Sequence, residues 1–286
     1  MNTERDLTKR LIKLFPVKLL KEHFNSEQVS EDLFNDILNK NIKSVIDAFA
    51  YVNLENTKQH IYVFDLGFSI NRQNLNLSAF PIPIIKQSTI NQETIIIISP
   101  IVDFRVILSD PFEEVILKFH QPIQIVLKDT HMICYATILE KNMSSHFTDN
   151  RRVLNVEKVN DESFILEQIC NHFSILNPSP CDLNKGIKYL WANDYVDSKY
   201  AKWKKDKSTT TETMDENYTL KTHYPDVYQG LINAPLKKMI FKYIKDDKLF
   251  PEHFTIDPSV GEISIPLFSN HINQNQNVVR EILSNN

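Results

Sequence analysis

Glycine is scarce in this sequence of 286 residues, which holds only Gly67, Gly186, Gly230 and Gly261, each far from the others. Loops that cradle a phosphate need several glycines within a few residues, because their backbone adopts positive φ and approaches the phosphate closely. The scarcity of glycine therefore argues against Walker-type nucleotide loops and dinucleotide-binding turns. We expect no cofactor.

Cysteines and long apolar runs are also few. Cys134, Cys170 and Cys181 are an odd number without a Cys-x-x-Cys pair, which is typical neither of a disulfide framework nor of a zinc ribbon. The purely aliphatic runs, such as residues 95–98, are far shorter than the roughly 20 residues of a transmembrane helix. The charged start of the sequence is unlike a secretion signal. We therefore expect a cytoplasmic protein without a membrane partner.

Excess positive charge is lacking too. The formal net charge is −4, so any binding of nucleic acid needs a local basic patch. The nine histidines form no His-x-x-x-His pair, and Cys170, His172 and Cys181 would lack a fourth metal ligand. We predict no metal site.

The first residues have helical periodicity. Leu7, Leu11 and Leu14 recur at helical spacing after Thr3 and Asp6, which form a capping-box pattern, and Pro16 then ends the helix. Similar apolar sets follow, so the sequence predicts a helical segment over residues 1–58.

From Ile61 the period changes to two. Alternation over 102–108, a hairpin over 123–139 and a strand pair over 153–159 and 164–169 predict a mainly antiparallel β domain over 59–177. The segment 177–180 contains two prolines and predicts a domain boundary. After it, the apolar spacing predicts helices over 183–205 and 231–244, with a loop over 206–217 between them. A short strand pair is predicted to follow. We therefore predict an α+β fold with a helical N-terminal segment, a central antiparallel sheet and a helix-rich C-terminal domain over 181–286.

One segment of the C-terminal part concentrates lysines, aromatics and hydroxyls. Its candidate nucleic-acid-binding residues are Lys199, Tyr200, Lys202, Trp203, Lys204, Lys205, Lys207, Ser208 and Thr209. Lysines neutralise phosphates, aromatic rings stack on bases, and hydroxyls donate to phosphate oxygens. The same composition also fits a solvated helix end on which Trp203 simply packs.

A catalytic alternative uses the predicted sheet. Asp103, Glu114 and Lys118 provide the carboxylates and the lysine that a Mg²⁺-dependent phosphodiesterase needs, provided that the fold brings them together. These residues are equally well explained as charged side chains on the solvent-exposed face of a strand, with no catalytic role.

Three functional hypotheses follow. The first is a non-enzymatic intracellular protein that binds nucleic acid or a protein partner through residues 199–211. The second is a metal-dependent phosphodiesterase or nuclease of a mobile-element or phage-defence type. The third is a structural subunit of a larger complex, which would expose apolar surface.

Overall fold

The computed structural model describes the whole chain except residues 1, 68–76, 79, 91, 110–111, 141, 148–151, 176–177, 206–207, 216 and 270. Helices and antiparallel strands both contribute to it, which confirms the α+β class. The chain divides into two compact units, residues 1–57, 70–128 and 136–177 and residues 58–69, 129–135 and 178–286. Each unit draws on separate stretches of the chain, whereas the predicted domains are contiguous.

The first unit starts with helices and continues with strands. Its helices are α1 (Glu4–Ile12), α2 (Val17–Phe24), α3 (Ser30–Lys40), α4 (Lys43–Val52) and α5 (Glu162–His172). Its strands are β2 (Ile84–Ile90), β3 (Glu93–Ile98), β4 (Ile101–Leu108), β5 (Glu113–His120), β6 (Ile123–Leu127) and β8 (Val153–Lys158). In the described residues β4 pairs with β5 and β8, and β3 pairs with β2 and β6, in all cases antiparallel.

Local sequence signals place the first helices. The Thr3 side chain accepts from the Asp6 backbone while the Asp6 carboxylate accepts from the Thr3 backbone, which confirms the predicted capping box. Pro16, which was predicted to break the first helix, lies between α1 and α2 and is the N-cap residue of α2. Helix α1 then packs on β5, where the Arg10 guanidinium donates to the Lys118 carbonyl at 2.6 Å and lies 4.9 Å from the Phe119 ring centre.

The second unit is built around one sheet. Its strands are β1 (Gln59–Asp65), β9 (Ser179–Pro180), β10 (Val196–Lys205), β11 (Ser208–Thr213), β12 (Leu236–Tyr243), β13 (His253–Asp257) and β14 (Glu262–Ile265), and β7 (His131–Thr137) continues from this unit into the first. The order is β11-β10-β12-β13-β14-β1, with β7 next to β1. Its helices are α6 (Asn184–Ala192), α7 (Leu220–His223), α8 (Pro225–Asn233) and α9 (Gln274–Ser284).

One face of this sheet is apolar and lies under helices. The ring centre of Trp191, on α6, lies 5.8 Å from the ring centre of Phe241, on β12. The Trp191 indole N–H donates to the Ser198 hydroxyl on β10. On α9, Asn275 donates to the Gln59 side chain of β1 at 2.8 Å. Helix α8 covers the end of β10 near Trp203. The helical layer therefore consists of α6, α8 and α9, and the aromatic core lies beneath it.

Three local predictions were wrong. Residues 183–205 and 231–244 were expected to be helical, but each contains a helix followed by a strand, so the C-terminal part is mixed instead of helix-rich. The polar stretch expected to be a loop contains β11. Residues 164–169 were expected to form a strand, but they lie in α5, which Asp161 caps by accepting from the Phe164 backbone.

Close approach of α6 and α9 is predicted to be essential for stability. A Cβ at Gly186 would lie 2.6 Å from Ile282 Cγ2 and closer still to the Ile282 carbonyl oxygen. We expect Gly186→Ala to lower the free energy of unfolding by about 2 kcal/mol, although alanine favours helices, because the helices must move apart. Urea denaturation measures this change. Gly230→Ala is the matched control, since its Cβ would meet only Trp203 Nε1 at 3.8 Å, and a loss equal to that of Gly186→Ala would contradict the explanation.

The first unit is predicted to lose stability in mild acid through His146. Its side chain is 8 % exposed, and its Nε2 has no hydrogen-bond partner, the exposed Glu140 carboxylate lying 3.8 Å away. Burial, together with the charges of Arg10 and Lys13, lowers the pKa of His146 to about 4 despite the opposing charge of Glu31. The unfolded chain binds this proton near pH 6.5 and the folded chain only near pH 4, so stability falls as the pH decreases across this interval.

We expect the contribution of His146 to lower the free energy of unfolding by about 2 kcal/mol between pH 7 and pH 5. Denaturation at both pH values should therefore give a smaller acid loss for His146→Phe than for the wild type. Equal losses would show that His146 does not carry this effect.

Candidate functional site

The lysine-rich segment lies on the β10–β11 hairpin at one end of the second unit's sheet. Tyr200 pairs with Thr213, Lys202 with Thr211, and Lys204 with Thr209. Because directly paired residues project from the same face and alternate residues from opposite faces, these side chains share one face. Ala201 and Trp203 project from the other face and are buried.

Strand β12 extends the same face. Lys202 pairs with Lys238, and Tyr200 pairs with Ile240, while Lys242 lies two residues further along β12. Lys238 and Lys242 are exposed, as is 37 % of Ile240. We define the lysine face as Tyr200, Lys202, Lys204, Thr209, Thr211, Thr213, Lys238, Ile240 and Lys242.

The lysine face carries one carboxylate, that of Asp197, which pairs with Lys242 across the strands but is buried and engaged by Lys199 and by the Leu220 N–H. In the described part of the chain, no carboxylate forms an ion pair with Lys202, Lys204, Lys238 or Lys242. Lys202 and Lys238 are moreover direct cross-strand neighbours, an arrangement that destabilises a sheet when the two charges are alike. Glu212 belongs to the hairpin but pairs with Ala201 and therefore projects from the opposite face. An anion bound to this face would relieve the repulsion.

Not every predicted residue belongs to the lysine face. The Lys199 ammonium lies 2.9 Å from the Asp197 carboxylate and donates to the Tyr218 carbonyl, so its charge is used within the chain. Trp203 is only 5 % exposed and lies under α8. Lys205 and Ser208 are exposed at the hairpin end, and Lys207 lies outside the described residues.

The sequence interpretation missed Lys238 and Lys242. Both lie in a stretch that was expected to be helical, about 35 residues away from the predicted segment. Only the pairing of β12 with β10 brings them next to Lys202. Their alternation with buried Met239 and Phe241 was the signal that could have identified a strand with one exposed face.

The three catalytic candidates lie on β4 and β5 in the first unit. Asp103 pairs with Lys118, but Glu114 pairs with Ile107, four residues further along β4. This register separates the two acidic residues by about 13 Å along the strand direction, given a rise of about 3.3 Å per residue. The Glu114 carboxylate instead lies 3.1 Å from Arg105. The geometry therefore gives the nuclease alternative no support.

Cysteine and histidine do not provide an alternative centre. The strand predicted over 164–169 would have placed Cys170 and His172 just after its end, but the two residues lie on α5, two positions apart, and so project from different faces of the helix. Burial raises the pKa of the Cys170 and Cys181 thiols to about 11, which disfavours thiolate ligands. Among the described residues, no three His, Cys, Asp or Glu side chains are grouped to hold a metal ion.

No helix within the described ranges is long and apolar enough to cross a membrane. Comparison of the chain with protein-family models, with curated proteins and with solved structures gives no match. The geometry of the chain itself therefore carries the functional argument. The lysine face offers lysines that form no ion pair among the described residues, together with threonine hydroxyls and one aromatic ring.

Proposed function

We propose that the protein binds single-stranded nucleic acid on the lysine face. The observation that carries this proposal is the cluster of Lys202, Lys204, Lys238 and Lys242 on two neighbouring strands, without an ion-pair partner in the described residues; Lys202 is partly exposed and the other three are exposed. Neighbouring strands lie about 4.8 Å apart, and residues i and i+2 about 6.6 Å apart, so the cluster presents several charges within a small area. A polyanion with closely spaced phosphates matches this pattern.

The side chains around the lysines favour a flexible strand with accessible bases. Tyr200 is partly exposed between Thr213 and Ile240, where its ring can stack on a base. The hydroxyls of Thr209 and Thr211 lie beside the lysines and can donate to phosphate oxygens. A duplex hides its base faces, so it would use the lysines but not Tyr200. We therefore propose a preference for single strands over duplexes.

The proposal describes a binding protein of a reducing compartment, and we place it in the cytoplasm. The buried cysteines Cys134, Cys170 and Cys181 form no disulfide, which supports this environment.

Reversing two charges on the lysine face tests the proposal. We expect wild-type binding to labelled single strands of about ten nucleotides to fall about 50-fold when the salt concentration rises from about 50 to 200 mM, since four phosphate contacts give a log–log slope of about −3. Lys202→Glu combined with Lys238→Glu should weaken binding about 100-fold at the lower salt concentration and roughly halve the slope. Fluorescence anisotropy measures both quantities.

The matched control is Lys185→Glu combined with Lys188→Glu, which changes the net charge equally but lies on α6 in the helical layer. It should retain nearly all of the affinity. Tyr200→Ala should weaken the binding of single strands about tenfold and of duplex much less. Equal losses in the two double variants, or binding that does not depend on salt, would refute the lysine face as the contact surface.

A further inference from the structure

A groove lies behind the hairpin, on the face opposite the lysine face. Its volume is about 440 Å³, and it runs between α8 and the inner side of β10 and β11. Ligand pockets commonly have volumes of about 300–1,000 Å³. Trp203, Val227 and Pro235 provide apolar walls, while Glu212 and Asp226 lie among the polar residues that line it. The groove is thus large enough for a bulky side chain.

The Trp203 indole presents an unused donor to this groove. Within the described part of the chain no group accepts a hydrogen bond from its N–H, although the ring is 5 % exposed. In contrast, the Trp191 N–H donates to Ser198 at 2.9 Å. Gly230 faces the Trp203 nitrogen, and even a Cβ there would remain 3.8 Å away, so the glycine leaves the N–H edge open. The nitrogen atom itself is reached by solvent, since it is not among the fully buried atoms that lack a partner, and a ligand with an acceptor can replace the water there.

Strand β11 forms the outer wall of the groove and is the edge of the sheet. The Lys204 N–H donates to the Pro235 carbonyl, towards β12, so Lys204 and Thr209 form a non-hydrogen-bonded pair. Alternation then directs the backbone groups of Thr209, Thr211 and Thr213 outwards, where no described strand pairs with them. An exposed edge of this kind is a template for another strand.

We propose that the β11 edge and the groove together bind an extended peptide segment of a partner protein. The segment adds a strand to β11 and inserts one aromatic or large aliphatic side chain beside Trp203. Cross-strand neighbours project from the same face, so peptide residues opposite Thr210 and Glu212 point to the groove. A small molecule could fill the groove, but only a peptide backbone can also pair with the outward groups of three alternate threonines.

Trp203 provides a direct readout, because the chain holds only two tryptophans. The probes are capped peptides of about seven residues, alternating threonine and valine around a central phenylalanine, tryptophan or alanine. In ¹⁵N–¹H correlation spectra, the aromatic peptides should shift the indole signal of Trp203 and the amide of Thr211 while leaving the indole of Trp191 in place. The alanine peptide should bind about tenfold more weakly.

Two variants separate the edge from the groove. Thr211→Pro removes a backbone N–H that points away from β10 and is not hydrogen-bonded to it, whereas Thr211→Val retains this N–H. Only the proline variant should weaken peptide binding, by about tenfold. Gly230→Phe fills the groove and should abolish the shift, whereas Gln229→Phe, exposed on the same helix, should not. Wild-type-like spectra and urea midpoints verify that each variant is folded.

Unchanged affinity in both Thr211→Pro and Gly230→Phe would overturn the proposal, as would the absence of a Trp203 shift with either aromatic peptide. A shift caused by free indole but by none of the peptides would identify a small-molecule pocket and also overturn it. The protein with Lys202→Glu and Lys238→Glu should still bind the peptide, so this result does not depend on nucleic-acid binding.

Discussion

Burial of aromatic side chains between one face of the sheet and the helical layer is the interaction on which the rest of the second unit depends. Rings of Trp191, Phe241, Phe250 and Phe254 contact one another under α6 and α9, and these side chains are almost completely buried. Such rings bury large apolar areas and therefore dominate the energetics of a core. The apolar side chains of β10 and β12 mostly point to the side that the helices cover, so the opposite face of these strands carries mostly polar side chains. The lysine face is thus a consequence of which side the helices cover.

Polar contacts fix this layer in one arrangement. Gln274 at the start of α9 donates to the Phe250 carbonyl at 2.8 Å, and Asn275 donates to Gln59. These side chains are buried, and leaving such a group unpaired would be costly, so only one position of the helix satisfies them. A sheet held rigidly from behind can present fixed side chains in front, which reduces the entropy lost when a ligand binds.

Local signals in the sequence were sufficient to predict the α+β fold class and several of the helices and strands. The capping box of Thr3 and Asp6 and the break at Pro16 were predicted because each acts over a few residues. The β12 stretch was misread because Leu236, Ile240 and Ile244 are spaced by four residues, which is close to a helical turn and is also a multiple of the strand period. Asp194 lies just after the end of α6 and has a left-handed backbone with φ of 52°. Aspartate tolerates this conformation, so it was a possible signal for the end of a helix. The helical spacing of the surrounding apolar residues nevertheless led to the prediction of a longer helix.

The candidate site was predictable only in part for the same reason. Composition identified the 199–209 segment as a candidate site. On a strand, however, successive side chains point to opposite faces, so Lys202 and Lys204 lie on one face and buried Trp203 lies on the other. Lys238 and Lys242 join the site through pairing across the sheet, a non-local contact that no local pattern reports. The separation of Asp103 and Glu114 likewise follows from the register of β4 and β5.

Photo-crosslinking tests the central claim most directly, because it maps where a bound strand lies. A short single strand carrying a photoreactive pyrimidine would be irradiated with the protein, and the attached residues would be identified by mass spectrometry. We predict adducts at Tyr200 and at neighbouring positions of the lysine face on β10, β11 and β12, and their suppression by an excess of unmodified strand. Adducts confined to α6, α8 and α9, or spread over the surface without competition, would contradict the account.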